Sequence, residues 1–209
     1  MQQLETEIKP KNLERTVVSP VKILVVDDDV ALGEVLVEIL SQEGYQIANV
    51  QSGEAAIKKC QMQTFDVALV DIKLPDMEGT QLLELLKKLT PTTVLIVLTG
   101  YPTLENAVHS LNSGADSYII KPFKTPKLLE QIRTQLEKRQ VTKWENLLRN
   151  TGLSIYEAKI YLSLTLTGTS EVRKLSMSSG VPRTKAYTAL KKLVQRVLVY
   201  EVPGAAQKF

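Results

Sequence analysis

The chain is poor in the residues that build metal centres and cross-links: of its 209 residues one is cysteine, Cys60, and one is histidine, His109. A single cysteine excludes an internal disulfide, and the two together offer no ligand spacing for zinc or a transition metal, so both are read as structural. No apolar run approaches the roughly 18 residues of a membrane-spanning helix. Residues 1–20 are polar and mixed in charge, unlike a signal peptide, and the expected location is the cytoplasm. With Pro10 and Pro20 and neither helical nor alternating periodicity, this stretch reads as a flexible extension. What is present is an ordinary 44% hydrophobic content, cut into short runs, in a chain long enough for two modest domains.

Charge is divided unevenly. Residues 1–141 carry 15 Lys and Arg against 19 Asp and Glu, whereas residues 142–209 carry 11 against 4. A slightly acidic first part and a basic last third suit a nucleic-acid-binding tail behind another domain, although a solvated basic surface produces the same count.

Apolar β-branched runs alternate with helical patterns from Val21 onward. Strands are expected at 21–26, 46–50, 67–70, 94–98 and 117–120, and helices at about 30–43, from 52, at 80–88, at 103–112 and from 126. Gly44 and Gly114 stop two of the helices, and Pro75 with Gly79 marks the loop after the third strand. Five β-α units in about 120 residues predict a flavodoxin-like, doubly wound parallel sheet. In such sheets ligands sit beyond the carboxyl ends of the strands. Four runs end there on residues suited to phosphoryl chemistry: Asp27, Asp28 and Asp29 after the first, Asp71 after the third, Thr99 after the fourth, Lys121 after the fifth.

Two carboxylates and a phosphoryl group suit Mg2+, which prefers oxygen ligands and keeps several waters. Asp27, Asp28 and Asp71 can supply the carboxylates. A carboxylate can also act as nucleophile toward phosphorus, with an amine such as Lys121 and a hydroxyl such as Thr99 stabilising the transferred group. Taken singly, each residue has a bland role: Asp29 as a helix N-cap, Lys121 as a surface lysine, Tyr118 as a core aromatic.

The segments ILVVDDD at 23–29, VALVDIKLPDMEG at 67–79, VLTG at 97–100 and YIIKPF at 118–123 resemble response-regulator receiver domains. The resemblance implies that Asp71 is the phosphoacceptor, that Asp28 ligates Mg2+ directly and Asp27 through water, and that the Lys73 carbonyl is a further ligand. It also implies that Thr99 and Tyr118 form a switch pair, that Lys121 contacts the phosphate, and that Lys121-Pro122 is a cis peptide. A histidine kinase as phosphodonor and a homodimer through the fourth helix, fifth strand and fifth helix follow from the same resemblance.

The stripe of the fifth helix fails at Arg139, Gln140 and Lys143 and resumes in a new phase at Val141, Trp144, Leu147 and Leu148. The receiver part is therefore assigned to 21–139, a linker or helix to 140–150, and a second domain to 151–209. There, helices are expected at 154–166, 170–178 and 182–195, then a strand at 197–202, a Pro203-Gly204 turn and a returning strand at 205–209. This is the layout of a winged helix-turn-helix, whose second helix enters the major groove of double-stranded DNA. Arg183, Thr184, Lys185 and Tyr187 occupy the first turns of that helix, and Arg173 and Lys174 the helix before it. Lys191, Lys192 and Arg196 read more readily as a solvated face. GLSIYEAKIYLSL at 152–164 and SGVPRTKAYTALKKL at 179–193 resemble the DNA-binding domain of TrmB-type transcriptional regulators, although PGAAQKF at 203–209 has one basic residue where that family's wing usually has several.

Together these features describe a two-component response regulator, phosphorylated on Asp71 and acting on promoter DNA. A second reading has the C-terminal domain bind a protein partner instead. A third, a phosphatase working through an aspartyl phosphate, needs an acid two residues after the nucleophile, and position 73 is lysine. Slow self-dephosphorylation by water is still expected, with Lys73 and Tyr101 beside its path.

Overall fold

The computed structural model describes residues 20–100, 104–202 and 209. Residues 1–19 of the N-terminal extension, residues 101–103 with the start of the helix expected at 103–112, and the 203–208 part of the expected wing lie outside the described residues. Two compact units are present, Met1–Ile132 and Arg133–Phe209.

The first unit alternates strands and helices: β1 (Lys22–Val26), α1 (Val30–Gln42), β2 (Gln46–Val50), α2 (Gly53–Met62), β3 (Val67–Asp71), α3 (Gly79–Leu89), β4 (Val94–Thr99), α4 (Leu104–Asn112) and β5 (Ser117–Ile120). The five strands form one parallel sheet in the order β2-β1-β3-β4-β5. The three central strands are buried almost throughout, as expected of a parallel sheet covered on both faces, whereas β2 and β5 are edges and partly exposed. Because β1 has β2 on one side and β3 on the other, the connections change direction there. A crevice opens at such a point, just past the carboxyl ends of β1 and β3.

Local chemistry explains the helix starts. Asp29 caps α1 by accepting from the Leu32 amide at 3.0 Å, and Ser52 caps α2 by accepting from Ala55 at 3.3 Å. The α2 start has a second, distant cap: the Asp76 carboxylate accepts from the Gly53 amide at 2.9 Å and the Glu54 amide at 2.8 Å. Cys60 is buried in the core among Leu24, Phe65 and Leu83, where burial raises its thiol pKa, and His109 is exposed in the last turn of α4.

The change of stripe at 139–143 does not interrupt the helix. α5 runs without a gap from Thr125 to Asn150. Arg, Gln and Lys are good helix formers, so losing the apolar stripe does not end the helix. Leu128 and Ile132 are fully buried near one end, and Leu148 packs on the second core near the other.

In the second unit α6 (Ile155–Thr167), α7 (Val172–Ser179) and α8 (Arg183–Gln195) enclose a core of Leu153, Ala158, Ile160, Leu175, Leu190 and Leu193. Ser154 and Glu157 form a reciprocal capping box at the start of α6. The strand expected at 197–202 is absent. α8 instead ends in a Schellman motif, with the Val197 amide donating to the Val194 carbonyl at 2.9 Å and the Leu198 amide to the Leu193 carbonyl at 3.0 Å. Val197 thereby takes the left-handed position, φ 61°, which directs the chain away from an extended continuation. The returning segment does pair: Phe209 and Ser170 exchange both backbone hydrogen bonds, at 3.0 and 3.1 Å. Ser170 is thus withdrawn from the helix expected at 170–178, and α7 begins at Val172. Among the described residues no helix is long and apolar enough to cross a membrane.

Candidate phosphoacceptor site and candidate nucleic-acid interface

Hydrogen bonding of the parallel ladder sets the depth at which each strand ends. Asp71 pairs in register with Leu98, which puts Thr99 one residue further out; the Lys121 amide then donates to the Thr99 carbonyl at 2.7 Å. Asp71, Thr99 and Lys121 therefore finish at one edge of the sheet. Lys121-Pro122 is the cis peptide in the described backbone.

Asp27, Asp28 and Asp71 each present a carboxylate oxygen within 4.8 Å of the others. Asp27 is fully buried, Asp71 half-buried and Asp28 exposed. Asp27 is held by the Asp29 amide at 3.1 Å, and Asp71 by the Lys73 amide at 3.1 Å. The Lys121 ammonium bridges the pair, 2.6 Å from Asp27 Oδ2 and 2.5 Å from Asp71 Oδ2. Burial drives the Asp27 pKa above the usual carboxylate value and outweighs the opposing effect of Lys121. Burial works to lower the Lys121 pKa, but its bonds to Asp27 and Asp71 prevail and raise it. Three carboxylates thus face one ammonium. A hard divalent cation fits this donor set, because it supplies the missing positive charge and takes oxygen ligands.

Thr99 is buried and Tyr118 is 39% exposed, so Tyr118 is not the core aromatic that an edge strand often carries. In the ladder Tyr118 is paired with Val97, and Ile120 with Thr99, so the four share one face of the sheet.

Gly79 is a site residue that the spacing alone assigns only to a loop. It is the first residue of α3, its amide donates to the Ile72 carbonyl at 2.6 Å, and a Cβ there would lie 2.7 Å from Ile72 Cα and overlap the Asp71 carbonyl oxygen. Glycine lets α3 start directly against the backbone of Asp71. The signal in the sequence is a glycine where a helix begins, but its close neighbour is eight residues away and visible only in space.

In the second unit Arg183, Thr184 and Lys185 are exposed in the first turn of α8, as are Arg173 and Lys174 at the start of α7. Tyr187 is half-buried against the core. Arg183 donates to the Tyr187 hydroxyl at 3.4 Å, and its guanidinium lies 5.8 Å from the ring centroid. Two of the more distal cations are engaged within the unit: Lys192 lies 3.7 Å from the buried Glu157, and Arg196 donates to the Gly152 carbonyl at 3.0 Å.

Comparison with known proteins follows the same division. The family model for the response regulator receiver domain matches residues 23–133, and that for the sugar-specific transcriptional regulator TrmB matches residues 148–209. The probable transcriptional regulatory protein SilR of Salmonella typhimurium is 31% identical over 134 residues, 64% of this chain and 59% of SilR. TcrX of Mycobacterium tuberculosis, also a probable transcriptional regulatory protein, is 34% identical over 59% of this chain and 53% of its own length. The transcriptional regulatory protein ZraR of Escherichia coli is 37% identical over 49% of this chain and 23% of its own. The chain thus spans under two thirds of each of these relatives. Among solved structures, a CheY-like receiver domain from Methanospirillum hungatei shares 46% identity at a TM-score of 0.57, covering 58% of this chain and 98% of that one. The BeF3-activated DrrB receiver domain shares 31% identity at a TM-score of 0.53, covering 56% and 98%.

Proposed function

The chain belongs to the response-regulator receiver family and carries a TrmB-type DNA-binding segment behind it, and from this premise we propose that it is a two-component response regulator that takes a phosphoryl group on Asp71 and acts on promoter DNA. The observation that carries the reading is the Lys121 ammonium bridging Asp27 and Asp71 at the carboxyl edge of the sheet.

Asp71 Oδ attacks the phosphorus of a histidine kinase's phosphohistidine; the P–N bond breaks and the electron pair leaves on the imidazole, which recovers a proton from solvent. Lys121 then moves its hydrogen bonds from the carboxylate to a phosphoryl oxygen, and the Thr99 hydroxyl donates to another. Mg2+ would be held by Asp28, Asp71 and the Lys73 carbonyl, and by Asp27 through water, and would supply charge neutralisation for the phosphoryl oxygens. The added charge of about −1.5 to −2 draws Thr99 inward, and Tyr118 turns from its exposed position into the space left behind. This remodels the face formed by α4, β5 and α5. Val108, Leu111, Tyr118 and Ile120 already expose apolar surface on α4 and β5, which supports homodimerisation there. Water slowly hydrolyses the aspartyl phosphate and resets the switch.

In the second unit, α8 enters the major groove with Arg183, Thr184, Lys185 and Tyr187, while Arg173 and Lys174 contact phosphates. The engagement of Lys192 and Arg196 within the unit reduces the free cationic surface and favours, as a second reading, a protein partner for this unit. Two measurements decide. Asp71→Asn should abolish phosphoryl uptake from a small acyl phosphate, followed by intact mass; uptake at the wild-type rate refutes the site. The full chain should bind genomic fragments with a steep salt dependence that Arg183→Ala flattens, and absence of binding to any fragment favours the protein partner.

A further inference from the structure

Within the DNA-binding reading above, on which this inference rests, we infer that Arg183 reads a single guanine and that Tyr187 is the residue that positions it. The cationic side chains at the head of the helix-turn-helix are not equivalent. Lys185, Arg173 and Lys174 are exposed. A lysine ammonium is a mobile point charge, suited to a phosphate that is the same at every base pair. Arg183 is different because its guanidinium is held at two points, by a hydrogen bond to the Tyr187 hydroxyl at 3.4 Å and by the Tyr187 ring face at 5.8 Å. Tyr187 is itself fixed, half-buried against the core of the unit one helical turn further on.

The contact with Tyr187 leaves donors for a base. The guanidinium carries five N–H donors in one plane, and the hydrogen bond to the tyrosine hydroxyl uses one of them, on Nη2. A planar fork of donors at the N-terminal end of a recognition helix matches the O6 and N7 acceptors that guanine presents in the major groove, a pair that no other base offers. Fixing the fork beforehand removes part of the ordering cost of a long side chain, so the contact discriminates rather than merely attracts.

The test uses the full-length protein and double-stranded DNA selected from a randomised pool, with affinity then measured for all four base pairs at each position of the selected site and over a range of salt. Arg183→Lys keeps the charge and loses the fork; discrimination should fall by about tenfold or more at one G·C pair, with the slope against salt retained. Tyr187→Leu should lower discrimination at that same pair, and Tyr187→Phe, which keeps the ring, should recover most of it. Equal losses across all positions, losses at different base pairs for the two residues, or a shallower salt slope with discrimination intact would overturn the assignment. A wild-type chain that selects no sequence from the pool overturns the DNA-binding reading itself, and the two failures are told apart by the unsubstituted protein.

Discussion

Substituting Gly79 by alanine isolates the part of the phosphoacceptor site that depends on backbone proximity. The new Cβ would lie 2.7 Å from Ile72 Cα and 3.0 Å from the Asp71 carbonyl carbon, with the carbonyl oxygen closer still, against 3.4 Å for ordinary contact. These neighbours are backbone atoms, so no rotamer change relieves the overlap. Either α3 withdraws, disturbing the fully buried Leu82, Leu83 and Leu86, or the end of β3 moves and takes Asp71 with it. Overpacking of this kind costs about 1–3 kcal/mol. A displacement approaching 1 Å at a reacting group costs on the order of 10²-fold in rate. The expected result is a folded protein with a lowered unfolding midpoint and phosphoryl uptake from a small acyl phosphate reduced by about two orders of magnitude. Gly100→Ala is the control: among the described residues its Cβ meets nothing within 4 Å, so stability and rate should hold. Gly79→Ala with wild-type uptake and an unchanged midpoint would refute the role assigned to the close approach.

Two further expectations concern stability. Val197 is β-branched, 89% exposed and left-handed, a conformation that costs roughly 1–2 kcal/mol and here returns no packing; Val197→Asn should stabilise the second unit by about 1 kcal/mol in chemical denaturation, and a loss of stability would contradict the strain. The amides of Glu54 and Gly53 hold the Asp76 carboxylate below its usual pKa of 3.8, so its cap is fully effective above that value and fades as pH falls through the lowered folded one. The wild-type advantage in thermal midpoint over Asp76→Ala should therefore be flat near neutrality and vanish in strong acid; an advantage that persists there, or disappears already at pH 6, would rule out the linkage.

The β-α alternation, the five strand ends and the helix starts at Asp29, Ser52 and Ser154 were legible because they depend on contacts within a few residues: apolar period, caps and stops. The acid cluster was legible for a related reason, since strand ends in a parallel sheet share one edge whatever the details of packing. The change of stripe at Arg139, Gln140 and Lys143 left 140–150 open between linker and helix, because loss of an apolar stripe resembles loss of a helix, while the backbone bonds of α5 need no stripe to continue. The segment 197–202 misled because its alternation suits a strand, yet the last turn of α8 has its own carbonyls to satisfy and takes Val197 and Leu198 to do it.

By itself the sequence determined the order of elements, the parallel sheet and the set of groups at its carboxyl edge, since hydrophobic period and strand polarity are local and directional. Only the tertiary structure decided which of those groups touch. It set Lys121 between Asp27 and Asp71, brought Asp76 to the start of α2 and Gly79 against Asp71, and returned Phe209 to Ser170. Apart from Gly79 and Asp71, these partners stand 22 to 94 residues apart, and no periodicity encodes such a distance; packing of the whole sheet and its helices determines it. Packing also sorted the basic residues of α8 and its C-cap, committing Lys192 to Glu157 and Arg196 to the Gly152 carbonyl, while Tyr187 holds Arg183 at the helix start.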